Sequence, residues 1–224
     1  MMQKNHSSPV RSRQTTVHPR LAEQVRRHLQ TDWQQLPQQP TIDAFYALNR
    51  MEVFSEQKII LDSGCGTGSS TRLIAAEHPD CLVIGIDKSA ARLAKATAGV
   101  FPFRQGNLIY LRAELASFWQ LAGSSAWKLH RHFLLYPNPW PKPGQLKRRW
   151  HAHPVFPTLL KLGGCLEMRC NWEIYAEEFA QAFTIATGLD AQVEQFVQSP
   201  ITSAFERKYT NSGLPLFTVR TPEI

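Results

Sequence analysis

Asp62, Gly64, Gly66 and Gly68 are the first residues of the chain whose types and spacing could hold a ligand, in the run Ile59-Ile60-Leu61-Asp62-Ser63-Gly64-Cys65-Gly66-Thr67-Gly68. Glycine permits a tight turn and lets the backbone approach a bound nucleoside with no Cβ in the way. Asp62 stands two residues before the first glycine, and Asp87 stands nineteen after the last, at the end of the next apolar run. An acid in that second place can accept hydrogen bonds from both hydroxyls of a ribose. A dinucleotide fingerprint asks for Gly-x-Gly-x-x-Gly or Ala, and here the last place is Ser69. The spacing therefore disfavours a nicotinamide dehydrogenase. A second segment with chemical character is Tyr136-Pro137-Asn138-Pro139-Trp140-Pro141-Lys142, followed by Lys147-Arg148-Arg149. Its three closely spaced prolines fix the backbone, which suits a rigid floor for a target base. Trp140 offers an aromatic face on which an unstacked nucleobase can lie.

Holding these segments requires a scaffold, and the apolar pattern supplies one. Short apolar runs at 59–63, 82–86, 131–136 and 164–169 read as strands, separated by helical segments at 69–78, 88–98, 112–122 and 172–187. Strands alternating with helices argue for a parallel sheet covered on both faces. Ligands bind beyond the carboxyl ends of the strands in such a sheet, so the Pro-Asn-Pro-Trp segment is expected beside the reacting end of the cofactor. The helix at 172–187 is the clearest, with Trp172, Tyr175, Ala176, Phe179, Phe183 and Ala186 on one stripe. Another helix is expected from Thr41, which can cap it, with Ile42, Phe45 and Leu48 facing inward. Residues 1–20 are polar and basic without apolar periodicity, and 31–40 reads as a linker. The expected organisation is a flexible basic arm and linker over 1–40 and one domain over 41–224. The arm's acid-poor composition also fits a transit peptide, but no apolar helical face accompanies it.

A chain of 224 residues, 43% hydrophobic and 19% charged, fits one well-cored α/β domain. No apolar run approaches the roughly 20 residues that span a bilayer, and the N-terminus lacks the apolar core of a secretory signal. Cys65, Cys81, Cys165 and Cys170 show no CxxC pairing, and His151 and His153 lie two apart in a basic loop. These features point to reduced thiols, a cytoplasmic protein and no metal site. The net charge of +7 is concentrated in two segments. Residues 1–30 hold Lys4, Arg11, Arg13, Arg20, Arg26 and Arg27 against Glu23 alone. Residues 137–153 hold Lys142, Lys147, Arg148 and Arg149 with no acid. Segregated basic segments on a near-neutral body suggest a polyanionic partner such as nucleic acid.

The pattern Asp62-x-Gly64-x-Gly66-x-Gly68 resembles motif I of class I S-adenosylmethionine-dependent methyltransferases. The Pro-Asn-Pro-Trp segment resembles that of the bacterial tRNA (guanine-N7)-methyltransferase family, whose pattern reads Phe-Pro-Asp-Pro-Trp-Pro-Lys and then Asn-Lys-Arg-Arg. The likeness covers most of residues 55–220. It extends to Asn171–Glu177, where the family has Thr-Asp-x-x-x-Tyr, and to Ser203–Lys208, where it has Thr-x-x-Glu. The resemblance implies a Rossmann-like α/β fold with a mostly parallel seven-stranded sheet and helices on both faces. It also implies S-adenosylmethionine as cofactor, and methyl transfer to N7 of a guanosine in the variable region of tRNA. Asp62, Gly64, Gly66, Gly68, Asp87, Asn107 and Asn138 would line the cofactor site, with Asn138 in the catalytic position. Lys142, Asn171, Ser203, Ala204, Phe205 and Glu206 would contact the substrate, and Lys147, Arg148 and Arg149 the tRNA phosphates.

The chain departs from the family in a systematic way. Asn138 and Asn171 stand where the family has aspartate, as Asn107 usually does, while Ser203 replaces threonine and Leu146 replaces asparagine. A carboxylate accepts from two guanine N–H groups, whereas an amide presents one acceptor and one donor group. Asn138-Pro139-Trp140 is also similar to the Asn-Pro-Pro-Tyr signature of amino-group methyltransferases. Three alternatives thus stay open: a methyltransferase acting on adenine N6 or a protein amide, a catalytically weak RNA-binding module, and a nicotinamide dehydrogenase, which the glycine spacing disfavours. The oligomeric state is left open between monomer and homodimer.

Overall fold

The computed structural model describes residues 7–51, 57–125, 127–197 and 203–224. Its helices are α1 (Leu21–Gln30), α2 (Gln39–Asn49), α3 (Ser69–Glu77), α4 (Ala90–Thr97), α5 (Leu115–Gly123), α6 (Phe156–Lys161), α7 (Glu173–Thr187) and α8 (Ala204–Asn211). Its strands are β1 (Lys58–Ser63), β2 (Cys81–Asp87), β3 (Phe103–Gln105), β4 (Leu108–Arg112), β5 (Leu129–Leu135), β6 (Cys165–Cys170), β7 (Gln192–Phe196) and β8 (Leu216–Glu223). They form one eight-stranded sheet in the order β3-β4-β2-β1-β5-β6-β8-β7. Strand β1 pairs in parallel with β2 and β5, and β2 in parallel with β4; β3 runs antiparallel to β4, and β7 to β8. This is the expected α/β class with eight strands rather than seven. The expected strands at 59–63, 82–86, 131–136 and 164–169 correspond to β1, β2, β5 and β6. The other four escape a reading based on apolar runs for physical reasons. Strand β7 is polar and almost wholly exposed, while β4 merges in sequence with the helix after it.

Contacts divide the chain into two compact units. One comprises residues 33–135, 158–166 and 223–224. Here β1, β2 and β4 are buried on both faces: Ile60, Leu61, Val83, Ile84, Ile109 and Leu111 expose no surface. Strands buried this way read as continuous apolar runs, as parallel strands between covering layers do. Helix α2 packs on α5 through Phe45 and Phe118, ring centroids 5.5 Å apart, and Trp127, beyond the end of α5, lies 5.6 Å from Phe45. Thr41 does not cap α2. The helix begins earlier, with Pro40 in its first turn, as proline's fixed φ favours. Thr41 is buried instead, and its hydroxyl accepts the Glu114 N–H at 3.0 Å. Ser63, the last residue of β1, lies 2.8 Å from His132 Nε2 and accepts the Trp119 indole N–H at 3.1 Å. Burial pushes the His132 imidazole down to about 3, so it is neutral in this network.

The second unit comprises residues 1–32, 136–157 and 167–222. Helix α7 buries Tyr175, Ala176, Phe179 and Phe183 of the expected stripe, with Ala182 beside them; Ala186 is half-buried, Trp172 precedes the helix at its N-cap, and Glu178 is also fully buried. Its carboxylate accepts four hydrogen bonds. Oε2 takes Arg149 Nη1 at 2.5 Å and His151 Nε2 at 3.0 Å; Oε1 takes Gln14 Nε2 at 2.6 Å and the His18 N–H at 2.9 Å. Residues 12–18, expected as part of a flexible arm, are thus tied by polar contacts that carry no apolar period. Helix α1, which follows them, buries Leu21, Gln24 and Val25 and packs against α7.

Burial pushes the Glu178 carboxyl up, but His151 and Arg149 outweigh it and hold the group at about 2. We predict that Glu178→Gln, which leaves the Arg149 charge buried without its counter-ion, lowers stability by about 3–5 kcal/mol in urea denaturation. The folded carboxyl is depressed below its ordinary 4.5, so the stability it contributes is complete above that value and is lost as pH falls towards about 2. The variant should therefore lack this acid-dependent part of the wild-type profile. A stability within 1 kcal/mol of wild type, on the same order-of-magnitude scale, would show that the network does not hold the unit.

Candidate functional site

The glycine loop leaves the carboxyl end of β1, and its path is set by β2. The Gly64 and Cys65 N–H groups both donate to Ile86 O, at 2.8 and 3.0 Å, and the Gly66 N–H donates to Asp87 Oδ2 at 3.0 Å. Gly64, Gly66 and Gly68 all have left-handed backbone, with φ of 82°, 60° and 76°. Two of them matter for different reasons. At Gly68 a Cβ would stand 2.5 Å from the Tyr110 ring, whose hydroxyl donates to Gly68 O at 2.8 Å. At Gly66 the space a Cβ would fill is open, with nothing within 4 Å. That opening is a place for a ligand to approach the backbone.

Asp62 is fully buried beneath this loop, one residue before the end of β1. Its Oδ2 accepts from Ser70 Oγ and Thr71 Oγ1, each at 2.7 Å, while Oδ1 is buried with no hydrogen-bond partner. Burial raises the carboxyl to about 6, the Asp87 charge adding to this against the two hydroxyls. A buried carboxylate oxygen without a donor is costly, and a cationic or N–H-bearing ligand would relieve it. Asp87 is 3% exposed. Besides Gly66 it holds the Ser89 N–H at 2.8 Å and an ion pair with Arg92 at 3.2 Å, so its first role is to shape the loop.

Asn107 does not join this group. Its Nδ2 donates to the carbonyls of Ala75, His78 and Cys81 at 3.0–3.1 Å, and its own carbonyl accepts the Val83 N–H. It precedes β4, whose register with β2 runs from Val83↔Leu108 to Asp87↔Arg112. Five strand residues, roughly 16 Å, therefore separate it from the level of Asp87. The amide serves the turn between α3 and β2, and assigning it to the cofactor is corrected here. The acid that does follow the carboxyl end of β4 is Glu114, which the sequence reading missed. It caps α5, accepting from the Ala116 and Ser117 N–H groups at 3.1 and 2.8 Å. A Glu-x-x-Ser step before an apolar helix was its only local signal.

In the other unit, the Pro-Asn-Pro-Trp segment is bracketed by two non-glycine residues in left-handed backbone, Tyr136 (φ 53°) and Trp140 (φ 44°). Such residues cost about 1–3 kcal/mol each and persist where surroundings enforce them. The enforcement is visible. The Tyr136 N–H donates to Arg169 O at 2.7 Å. Trp140 O accepts Arg149 Nε and Nη2 at 3.2 and 3.1 Å, and Pro141 O accepts Ser12 Oγ at 2.5 Å. The Trp140 N–H donates to Asn138 Oδ1 at 3.3 Å, and Asn138 itself is exposed.

The basic residues separate into two kinds. Lys142, Lys147 and Arg148 are exposed, and the Arg148 guanidinium lies 4.8 Å from the centre of the Trp140 ring. Arg149 exposes no surface: besides Glu178 and Trp140 it reaches Gln14 Oε1 at 3.0 Å and lies over the Trp172 ring. It cannot grip a phosphate, and that expectation is corrected; an Arg-Arg pair in sequence hides one buried member. The two basic segments meet around His28 of α1. Burial first, then the charges of Arg27, His153 and Lys147, push its imidazole down to about 4.

Asn171 is half-buried between β6 and α7. Ser203 caps α8, accepting the Glu206 N–H at 3.1 Å; Ala204 and Phe205 are exposed, and Glu206 is buried on Arg169 at 3.2 Å. Arg169 also pairs with Glu167 at 2.6 Å. Burial, then the Glu206 charge, raises the Tyr136 hydroxyl. Glu178, Arg169, Ser12 and Gln14 are the residues around this segment that local sequence signals did not reveal. Among the described residues, no three His, Cys, Asp or Glu side chains gather as a metal site, and no helix is long and apolar enough to cross a membrane.

Known proteins bear on this arrangement in three ways. A family model described as a putative methyltransferase matches residues 56–219. The tRNA (guanine-N(7)-)-methyltransferase of Pseudomonas paraeruginosa is 32% identical over 67% of this chain, which spans 64% of that relative, just under two thirds. The protein of the same name from Shewanella amazonensis is 32% identical over 68% of this chain and 67% of its own length. Among solved structures, an antibiotic-related methyltransferase superposes with a TM-score of 0.57 at 14% identity, covering 80% of this chain and 94% of that one. The 16S rRNA methyltransferase KamB superposes with 0.54 at 16% identity, covering 85% and 96%. These two likenesses establish the Rossmann-like methyltransferase fold. By the span of the family model and the identity to relatives of this length, the chain belongs to the putative methyltransferase family, alongside the tRNA (guanine-N(7)-)-methyltransferases.

Proposed function

We propose that the protein transfers a methyl group from S-adenosylmethionine to N7 of a guanosine in tRNA, in the variable region, and that it works in the cytoplasm. Residues 41–224 would be the methyltransferase domain, with 1–40 as its basic extension. The observation that carries the cofactor assignment is the unpartnered, buried Asp62 Oδ1 under an open glycine turn. S-Adenosylmethionine supplies an electrophilic methyl on a sulfonium, together with an ammonium and a ribose. The residues present fit it: Asp62 would take the cationic methionine end, the Gly66 turn would admit the nucleoside, and Asp87 retains acceptor capacity for ribose hydroxyls. Glu114 would add a further acid on the same edge of the sheet. Several of the matched relatives carry the tRNA (guanine-N(7)-)-methyltransferase name, which supports the substrate.

The chemistry asks little of the protein beyond alignment. Guanine N7 has a lone pair and no proton to lose. In-line attack on the methyl group therefore needs a held base and a tuned field. The rigid Pro137–Pro139 floor and the Trp140 face would hold the base, with Lys142, Asn171 and the Ser203–Glu206 turn around the substrate. Lys147 and Arg148 would take phosphates. An amino-group methyltransferase would instead need the Asn138 carbonyl to accept from a substrate amine. In the structure that oxygen accepts the Trp140 N–H at 3.3 Å and keeps a second lone pair, so an amino-group methyltransferase is the second reading, and the names of the matched relatives favour N7.

Three outcomes follow. Asp87→Ala should weaken S-adenosylmethionine and S-adenosylhomocysteine about ten- to a hundredfold in calorimetry, through lost charge-assisted bonds and a loosened Gly66 turn. Unchanged binding would remove Asp87 from the site, and binding of NADH but not of the methyl donor would overturn the reading. Replacing Lys147 and Arg148 together by alanine should flatten the slope of log K for tRNA against log salt by about 2, one per phosphate; an unchanged slope would make them merely solvated. Asn138→Asp should keep or raise 7-methylguanosine formation on unmodified tRNA, read by nucleoside mass spectrometry. A carboxylate there still accepts the Trp140 N–H and stabilises the cationic product by up to about 2.7–4 kcal/mol. 7-Methylguanosine from wild type alone would contradict that account of charge, and N6-methyladenosine would replace the guanine assignment.

A further inference from the structure

Residues 11–14 alternate like a strand, although they belong to none. Arg11 and Arg13 are exposed, while Ser12 and Gln14 are half-buried. The two inward side chains end on the Pro-Asn-Pro-Trp segment or on what holds it. Ser12 Oγ donates to Pro141 O at 2.5 Å and accepts the Gln14 N–H at 2.9 Å. Gln14 uses both ends of its amide, donating to Glu178 Oε1 at 2.6 Å and accepting from Arg149 Nη2 at 3.0 Å. That same Arg149 nitrogen reaches Trp140 O, and the Trp140 N–H reaches Asn138 Oδ1. A continuous hydrogen-bonded path therefore runs from the N-terminal segment to the exposed amide of Asn138.

We propose that Ser12 and Gln14 are positioning residues for the Asn138 loop, so that the N-terminal segment completes the reacting site rather than serving only as a basic tether. The inference rests on the methyl transfer proposed above, with Asn138 in the catalytic position that the resemblance implies. Its physical basis is strain: Trp140 holds φ at 44°, and two consecutive carbonyls, Trp140 and Pro141, are fixed from outside the loop. Arg149 alone can hold the first. The second depends on Ser12, and the angle of the guanidinium depends on Gln14. A loop released from these points relaxes by a fraction of its length and misaligns a displacement that tolerates little error. Outward-facing Arg11 and Arg13 place charge on the same short segment.

The test separates positioning from both binding and folding. Ser12→Ala, Ser12→Thr and Gln14→Ala would be compared with wild type in full-length protein. The readouts are kcat and KM on unmodified tRNA, calorimetric affinity for S-adenosylmethionine, and hydrogen exchange across residues 136–149. The expected result is a fall in kcat of about ten- to a hundredfold for both alanine variants, the scale of a small misplacement. KM and cofactor affinity should stay within about twofold while exchange quickens in 136–149, and Ser12→Thr, which restores the hydroxyl, should recover most of the rate. Unchanged kcat and exchange in both alanine variants would overturn the proposal. So would a threonine variant as slow as the alanine one, because that would mark a packing role. If wild type itself methylates no tRNA, the proposed function fails, and exchange in 136–149 alone decides whether these residues hold the loop.

Discussion

One buried carboxylate organises the unit that carries the Pro-Asn-Pro-Trp segment. Glu178 reaches no solvent, and a lone charge there would be expensive to bury. Four donors from two separate stretches of chain make it tolerable: Gln14 and His18 before α1, and Arg149 and His151 after the proline segment. Each donor is fixed in turn. Arg149 could not be buried without Glu178, and it is Arg149 that secures the Trp140 carbonyl. The order of residues 12–18 and the path of the loop therefore depend on satisfying a single charge.

The glycine loop rests on the opposite logic. There the strands are apolar and buried on both faces, and the loop is set by backbone geometry: two N–H groups share one carbonyl of β2, and a third finds Asp87. Among the described residues of this unit, Asp62 Oδ1, Gln120 Oε1 and His132 Nδ1 are buried without a hydrogen-bond partner, and of these the Asp62 oxygen is the carboxylate beneath the glycine loop. Burial opposes the charge there and raises the carboxyl towards about 6.

Asn138 and Asn171, where the resemblance leads one to expect aspartates, both fall in the unit that Glu178 organises. Asp62 and Asp87 keep their charge and their partners. Asn138 keeps the turn that an aspartate would also make, because the Trp140 N–H needs only an acceptor. What the substitution removes is the negative charge at these positions. The local architecture of the segment is thus compatible with either residue, and the difference lies in electrostatics.

Much of this protein is determined locally and is legible in its sequence. The alternation of apolar runs and helical segments, the Gly64-x-Gly66-x-Gly68 turn with Asp62 and Asp87, and the stripe on α7 each reflect a period or a backbone requirement confined to a few neighbouring residues. Tertiary structure decided the remainder, always where a side chain's partner lies far along the chain. Arg148 and Arg149 are adjacent and chemically identical, yet one faces solvent over Trp140 and the other is sealed on Glu178, twenty-nine residues away. Asn107 sits close to a family pattern but at the amino edge of its strand, where it serves three carbonyls of a turn. The polar segment from Ser12 to His18 has no apolar period to announce its order, because a hydrogen bond to Pro141 and two to Glu178 provide it. Periodicity records burial of apolar surface. It carries no information about which distant donor will satisfy a buried charge, and that pairing exists only once the chain has folded.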